Sequence, residues 1–162
     1  MNPARTRDLS GTPWFRHISI SLDSVEFAYL PGETSQGIIH RPFLPIVLSN
    51  GDREFFVNPA LVDTGADITL LPMEIAHQLG VVLDDTKPIN VDSAGGGYCV
   101  ALPSLHPITY VLKKKGHRPI RWTGIAYFAP RQPIVLLGQY QCLEKLTLTF
   151  DGPGRQVRVE KK

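Results

Sequence analysis

Apolar positions along this chain fall in short runs separated by Gly, Pro, Asn and Asp, the pattern of many strands joined by turns rather than of long amphipathic helices. Between Trp14 and Leu30, the residues Phe15, Ile18, Ile20, Leu22, Val25, Phe27 and Tyr29 alternate well enough for one or two strands. A break is expected at Leu22-Asp23-Ser24, and Thr34 to Gly37 reads as loop. From Arg41 to Val57 two apolar strands flank Asn50-Gly51, a strong hairpin signal. The second strand runs on to Asp63 through Asn58-Pro59, where a bulge or bend is expected because proline cannot donate to a sheet ladder. Leu71, Ile75 and Leu79 fall four apart with Ala76 beside them, Pro72 suits a first helical turn and Gly80 a stop, which predicts a short helix from Pro72 to Leu79.

Farther along, Ile89–Asp92 and Tyr98–Leu102 alternate on either side of Ser93-Ala94-Gly95-Gly96-Gly97. This reads as a mobile hairpin with a glycine-rich tip, an ordinary flexible loop being the alternative. Ile108–Leu112 and Ile120–Phe128 are expected strands joined by the basic stretch Lys113 to Arg118. That stretch reads as a solvated tip in preference to a docking patch for acidic groups. An apolar strand, Pro133–Gly138, a short helix over Gln139–Lys145 and a strand over Leu146–Asp151 follow. A last strand, Gln156–Val159, comes after the Asp151-Gly152-Pro153-Gly154 turn. Residues 1–13 are polar and without periodicity, and are expected to form a disordered tail.

A length of 162 residues with 43% hydrophobic content suits one core and one domain. The 17 basic and 15 acidic residues are not concentrated anywhere, which argues against nucleic acid as the main partner. No run approaches the roughly 20 apolar residues of a membrane helix, and Met1 to Asp8 has no apolar region behind it, so the expectation is a cytoplasmic protein without membrane contact. Cys99 and Cys142 would be thiols in a reducing compartment. The five histidines are scattered, so no metal site is expected. Gly95-Gly96-Gly97 is not followed by a helix or by Lys-Ser/Thr, which argues against a phosphate cradle.

The stretch with candidate chemistry is Ala60-Leu61-Val62-Asp63-Thr64-Gly65-Ala66-Asp67-Ile68-Thr69-Leu70-Leu71-Pro72. It delivers one carboxylate onto a tight turn at the end of a buried strand and then becomes apolar again. Gly65 permits a backbone path that a side chain would forbid, and the Thr64 hydroxyl is placed to bond across the turn. A plain strand-ending Asp-x-Gly turn would look the same within the triplet.

Two apolar residues, Asp63-Thr64-Gly65-Ala66-Asp67 and a second apolar stretch resemble the active-site turn of retropepsins, the single-lobe aspartic proteases of retroviruses, retrotransposons and some bacteria. The preceding hairpin, the Ala94-Gly95-Gly96-Gly97-Tyr98 segment in the place of the flap, and Leu136-Leu137-Gly138 as the strand threading beside the catalytic turn extend the likeness over about Arg41 to Asp151. Asp92-Ser93 is not a second catalytic triplet, because Ala94 stands where glycine is required. The resemblance implies a mostly β, single-lobe closed barrel or sandwich with a flap and one or two short helices, occupying residues 40–160 behind a strand extension at 14–39. It implies a homodimer with Asp63 of each chain in the catalytic pair, peptide or protein substrate, and no cofactor. Thr64 would lock the two turns across the axis and Gly65 would leave room for substrate. The competing reading is a non-catalytic dimerising or peptide-binding module on the same fold. One departure is notable. Many relatives carry Arg after the strand-ending glycine, paired with the residue equivalent to Asp67, whereas this chain has Gln139, whose neutral amide would bond Asp67 more weakly. Pepsin-like enzymes commonly place Ser or Thr after the catalytic glycine; Ala66 offers the carboxylate no hydroxyl, which implies a rate optimum between about pH 5 and 7.

Overall fold

The structure, a computed structural model, describes residues 24–92 and 97–161. The expected tail at 1–13, the strand positions before Ser24, and Ser93 to Gly96 lie outside the described residues. Strands β1 (Ser24–Ala28), β2 (Leu30–Thr34), β3 (Gly37–Arg41), β4 (Phe43–Asn50), β5 (Arg53–Val62) and β6 (Leu70–Pro72) precede helix α1 (Met73–Leu79). Then come β7 (Ile89–Asp92), β8 (Tyr98–Pro103), β9 (Ile108–Leu112), β10 (Ile120–Gly124), β11 (Tyr127–Ala129) and β12 (Val135–Leu137). A 3-10 turn (Leu143–Lys145) leads into β13 (Leu146–Asp151) and β14 (Gln156–Lys161). Nine strands form one sheet in the order β10-β9-β4-β5-β12-β6-β11-β8-β7, while β1-β14-β13 and β2-β3 form two smaller ones.

The hairpin at Asn50-Gly51 forms as expected, with Gly51 at φ 59 and Asn50 paired to Arg53. Along β4, Leu44, Ile46 and Leu48 are fully buried and meet Tyr110, Phe128, Leu71, Leu79 and Leu137 in the main core. Each such side chain contributes about 1.5–3 kcal/mol of burial. Pairing shifts between Leu44↔Ala60 and Ile46↔Val57, so Pro45 faces two residues, Asn58 and Pro59, whose peptide bond is cis. This bulge has a functional consequence. Val57 points inward, and strict alternation would keep odd-numbered positions inward up to Asp63. The extra residue flips the parity, so Ala60 and Val62 enter the core and the acid that follows stays out of it.

Helix α1 starts one residue later than the pattern predicts, because Pro72 is extended (φ −55, ψ 139) and caps it. Gly80 ends it in the left-handed conformation, and the Asn50 amide donates to the carbonyls of Leu79 and Gly80 at 3.2 and 3.1 Å. Three expectations need correction. The Thr34–Gly37 loop is only the tip of a hairpin: β2 runs to Thr34 and β3 starts at Gly37, with the Thr34 hydroxyl donating to the Gly37 carbonyl. The Ile120–Phe128 strand is two strands. Gly124 lies so close to Gln141 that a Cβ there would sit 2.2 Å from its carbonyl oxygen, and Gln141 Oε1 takes the Ile125 N–H, redirecting the chain from β10 to β11. The helix expected over Gln139–Lys145 shrinks to Leu143–Lys145, because Gln141 stands in the left-handed conformation at φ 55, which a right-handed helix cannot contain.

In the basic stretch, Lys114 is not free: its ammonium donates to the Glu26 carbonyl and lies 5.3 Å from the Phe27 ring centre. Both cysteines are free thiols. Cys142 is fully buried, and burial pushes its thiol up to about 11. One thiol per folded chain, that of half-buried Cys99, is expected to react with Ellman's reagent at pH 8, and two after denaturation. Two fast-reacting thiols in the folded protein would contradict this packing. Among the described residues, no helix is long and apolar enough to cross a membrane.

Candidate active site

The candidate site is where two distant parts of the chain interlock. Strand β12 inserts between β5, to which it runs parallel (Val135↔Ala60, Leu136↔Leu61, Leu137↔Val62), and β6, to which it is antiparallel (Leu136↔Leu70). As β5 ends, the Asp63 N–H donates to the Leu137 carbonyl at 3.0 Å. The turn then closes on its own acid. Gly65 N–H donates to Asp63 Oδ1 at 3.1 Å, and Ala66 N–H donates to the Asp63 carbonyl at 3.2 Å. The carboxylate is half-buried, and Thr64 and Gly65 are exposed.

The residues after β12 clamp the far side of the turn. Gln139 N–H reaches the Ala66 carbonyl at 2.9 Å and Tyr140 N–H reaches the Asp67 carbonyl at 2.8 Å. The Gly138 N–H donates to Thr69 Oγ1 at 3.1 Å. The Gln139 side chain departs from the sequence expectation: its amide donates to the Thr64 carbonyl at 3.0 Å, not to Asp67. The amide therefore ties down the turn from inside the same chain. Thr69 is the residue that sequence reasoning missed. Fully buried, it was signalled only as the one polar position in Ile68-Thr69-Leu70-Leu71. Its hydroxyl accepts a buried backbone donor that would otherwise be left unpaired.

Leu136, Leu137 and Gly138 thus lie beside Asp63. Hairpin β7–β8 forms the far edge of the nine-stranded sheet, with Val91 opposite Cys99 and Asp92 opposite Tyr98. Ala94, Gly95 and Gly96 lie outside the described residues. Gly97 and Tyr98 stand at the foot of the second strand, and Tyr98 is 77% exposed. A small apolar cluster built on Leu70, Ala101 and Ala129, with Ile68, Ile89 and Val91 packed on it, fixes this hairpin to the turn. Between them is a cleft of about 320 Å³, with Ala66, Asp67 and Ile68 on one wall and Ile89, Val91 and Asp92 on the other. Among the described residues, no group of three or more His, Cys, Asp or Glu is placed to hold a metal ion.

A mostly β fold that presents Asp63 on an Asp-Thr-Gly turn, with a threaded strand beside it, has the arrangement that the resemblance implies. Comparison with known families bears out the resemblance read from the sequence: residues 48–109 match the family model described as aspartyl protease. Among solved structures, the chain is similar to a retropepsin-like aspartic protease from Rickettsia conorii. The match has 20% identity and a TM-score of 0.49, covering 83% of this chain and 97% of that one. It is also similar to EIAV protease in complex with the inhibitor HBY-793, at 24% identity and a TM-score of 0.39, over 61% of this chain and 82% of that one. No curated protein sequence matches the chain.

Proposed function

We propose that this chain is an aspartic endopeptidase that works as a homodimer, with Asp63 of each subunit forming the catalytic pair. The observation that carries this reading is the construction of the turn. Asp63 is displaced from the core by a bulge and held by Leu137, and six further bonds within the turn or from residues 138–140 fix the backbone around it. A surface turn with no task would not need such restraint.

In the pair, the ionised carboxylate takes a proton from water as the water oxygen attacks the peptide carbonyl, and the protonated partner donates to the carbonyl oxygen. The resulting gem-diol collapses, the C–N bond breaks, and the amine leaves with a proton from the pair. Two carboxyl groups about 3 Å apart cannot both ionise readily, so they act as one unit. Each chain supplies one such acid, which requires a two-fold axis between the two turns. Hairpin β7–β8 would cover the substrate, and Thr64 would bond its mate across the axis. The same fold would also serve a peptide-binding module, and retention of Asp63, Thr64 and Gly65 together favours the enzyme.

The test is incubation of the purified chain with an unstructured protein substrate, with and without pepstatin, followed by sedimentation at several concentrations. Pepstatin-sensitive cleavage whose specific activity rises with the dimer fraction is expected. Full activity from a species that sediments only as monomer at tens of micromolar would overturn the pairing of two chains. The rate profile is expected to be bell-shaped with its centre between about pH 5 and 7, and Ala66→Ser should move it toward acid by supplying a donor to the carboxylate. A wild-type optimum below about pH 4, or no shift in the serine variant, would show that another donor governs the pair.

A further inference from the structure

The hairpin of β2 and β3 stands apart from the rest of the chain. Among the described residues, neither strand joins another sheet, and nothing from Leu30 to Arg41 enters the hydrophobic core. Not one of these residues is buried. The hairpin nevertheless carries three large apolar side chains in the open: Ile38 at 66% exposure, Leu30 at 39% and Ile39 at 36%. Directly paired residues share a face of a sheet, so Leu30, Gly32 and Ile39 lie on one side with Arg41, while Pro31 and Ile38 lie on the other with Glu33 and His40. Each face thus presents an apolar centre. A two-stranded hairpin is marginal in water unless its apolar surface packs against another element.

The root of this arm is fixed on both sides. At β2 the Tyr29 N–H donates to the Arg155 carbonyl at 2.8 Å, and Arg155 Nη1 lies 3.1 Å from His40 Nε2. At β3 the Pro42 carbonyl accepts the Val62 N–H at 2.9 Å, and Phe43 pairs with Leu61. Asp63 is the next residue, so the arm leaves the domain at the point a second chain has to approach if two Asp63 carboxyls are to meet. Strands of five residues extend about 17 Å, whereas carboxyls that share a proton are about 3 Å apart. An arm that long, rooted one residue from the acid, has the reach to span the axis and lie on the other subunit. The residues before Ser24 are placed less well to cover it. They join β1 at Ser24, opposite Glu160, whereas the end of β1 nearest the arm is Ala28, opposite Gln156.

We propose that the β2–β3 hairpin is a dimerisation arm, which crosses to a second copy of this chain and buries Leu30, Ile38 and Ile39 against it. The inference rests on the pairing of two chains in the peptidase reading and adds to it a contact outside the Asp63 turns. A two-fold axis gives each subunit the same arm and the same receiving surface, as an isologous interface requires.

The test is made on the full chain. The double variant Ile38→Lys, Ile39→Lys is expected to raise the dimer Kd by about tenfold or more in sedimentation equilibrium. Specific activity extrapolated to full dimer should stay unchanged, since neither residue belongs to the acid turn. The melting temperature of chains diluted to monomer should move by no more than about 2 °C, which separates weakened pairing from a damaged fold. A photoreactive benzophenone amino acid in place of Ile38 reports the occupant directly, and illumination is expected to join two chains covalently. A crosslink confined to one chain, to residues 1–23 or elsewhere, overturns the proposal, as does a dimer Kd within about twofold of wild type in the lysine variant. Either result in a chain that is still an active dimer leaves the peptidase reading intact. A wild-type chain that is monomeric and inactive at every concentration overturns that reading and the arm with it.

Discussion

Asp63→Asn is expected to lower kcat/KM by about 10³-fold or more, with no measurable change in melting temperature. The asparagine amide keeps an oxygen where Asp63 Oδ1 now accepts the Gly65 N–H at 3.1 Å, and the backbone bond from residue 63 to the Leu137 carbonyl does not depend on the side chain. What is lost is chemical. A dimer of the variant has no ionisable group at the axis to take the proton of the attacking water, and general base catalysis alone contributes about 10²–10⁴-fold. Mixing wild-type and variant chains should also poison activity, because a heterodimer holds only one acid. Activity within tenfold of wild type would exclude Asp63 as the acid, whatever the turn's architecture suggests.

Gly138→Ala is expected to destabilise the fold by about 3 kcal/mol or more, lowering the melting temperature by roughly 6–12 °C. A Cβ on residue 138 would lie 2.1 Å from the Ile68 carbonyl oxygen, 2.3 Å from its carbon and 2.9 Å from the Ala66 oxygen. All three are backbone atoms of the acid-bearing turn, so no side chain can swing aside to make room, and overpacking has to be met by moving the turn itself. Loss of activity should therefore exceed what the fall in stability accounts for at temperatures where the variant is folded. Thermal melting by circular dichroism, together with kcat/KM at 15 °C, reads both effects. A variant as stable and as active as wild type would mean that β12 does not approach the turn this closely.

The Asp63 turn, the Asn50-Gly51 hairpin, helix α1 and the β7–β8 pair were legible in the sequence because each is written in local chemistry: a triplet with a glycine, a turn dipeptide, a period of four, an alternation. The split of the expected Ile120–Phe128 strand was not, because its cause lies in Gln141, whose carbonyl crowds Gly124 and whose side chain takes the Ile125 N–H. Nor was the partner of Gln139. The family resemblance suggested Asp67, while the direction of the side chain, which sends its amide to Thr64, depends on how β12 is threaded between β5 and β6. Thr69 was passed over for a similar reason. A single threonine among leucines looks like strand composition until its buried hydroxyl is seen under the Gly138 N–H.

The insertion of β12 between β5 and β6 also orders events in the life of the chain. Val135 to Leu137 fill a slot whose two walls, β5 and β6, come from residues 53–72, so the loop closed by this contact spans more than sixty residues of intervening chain. Such non-local pairing forms late, after local hairpins such as β4–β5. During synthesis, a nascent chain that has emerged only as far as β11 holds Asp63 at the end of a strand whose outer edge is unfilled, and lacks every bond from Leu137, Gly138, Gln139 and Tyr140. The turn that carries Asp63 therefore takes its folded geometry only once Val135 to Tyr140 have joined it, so the site is assembled from two segments that leave the ribosome far apart in time.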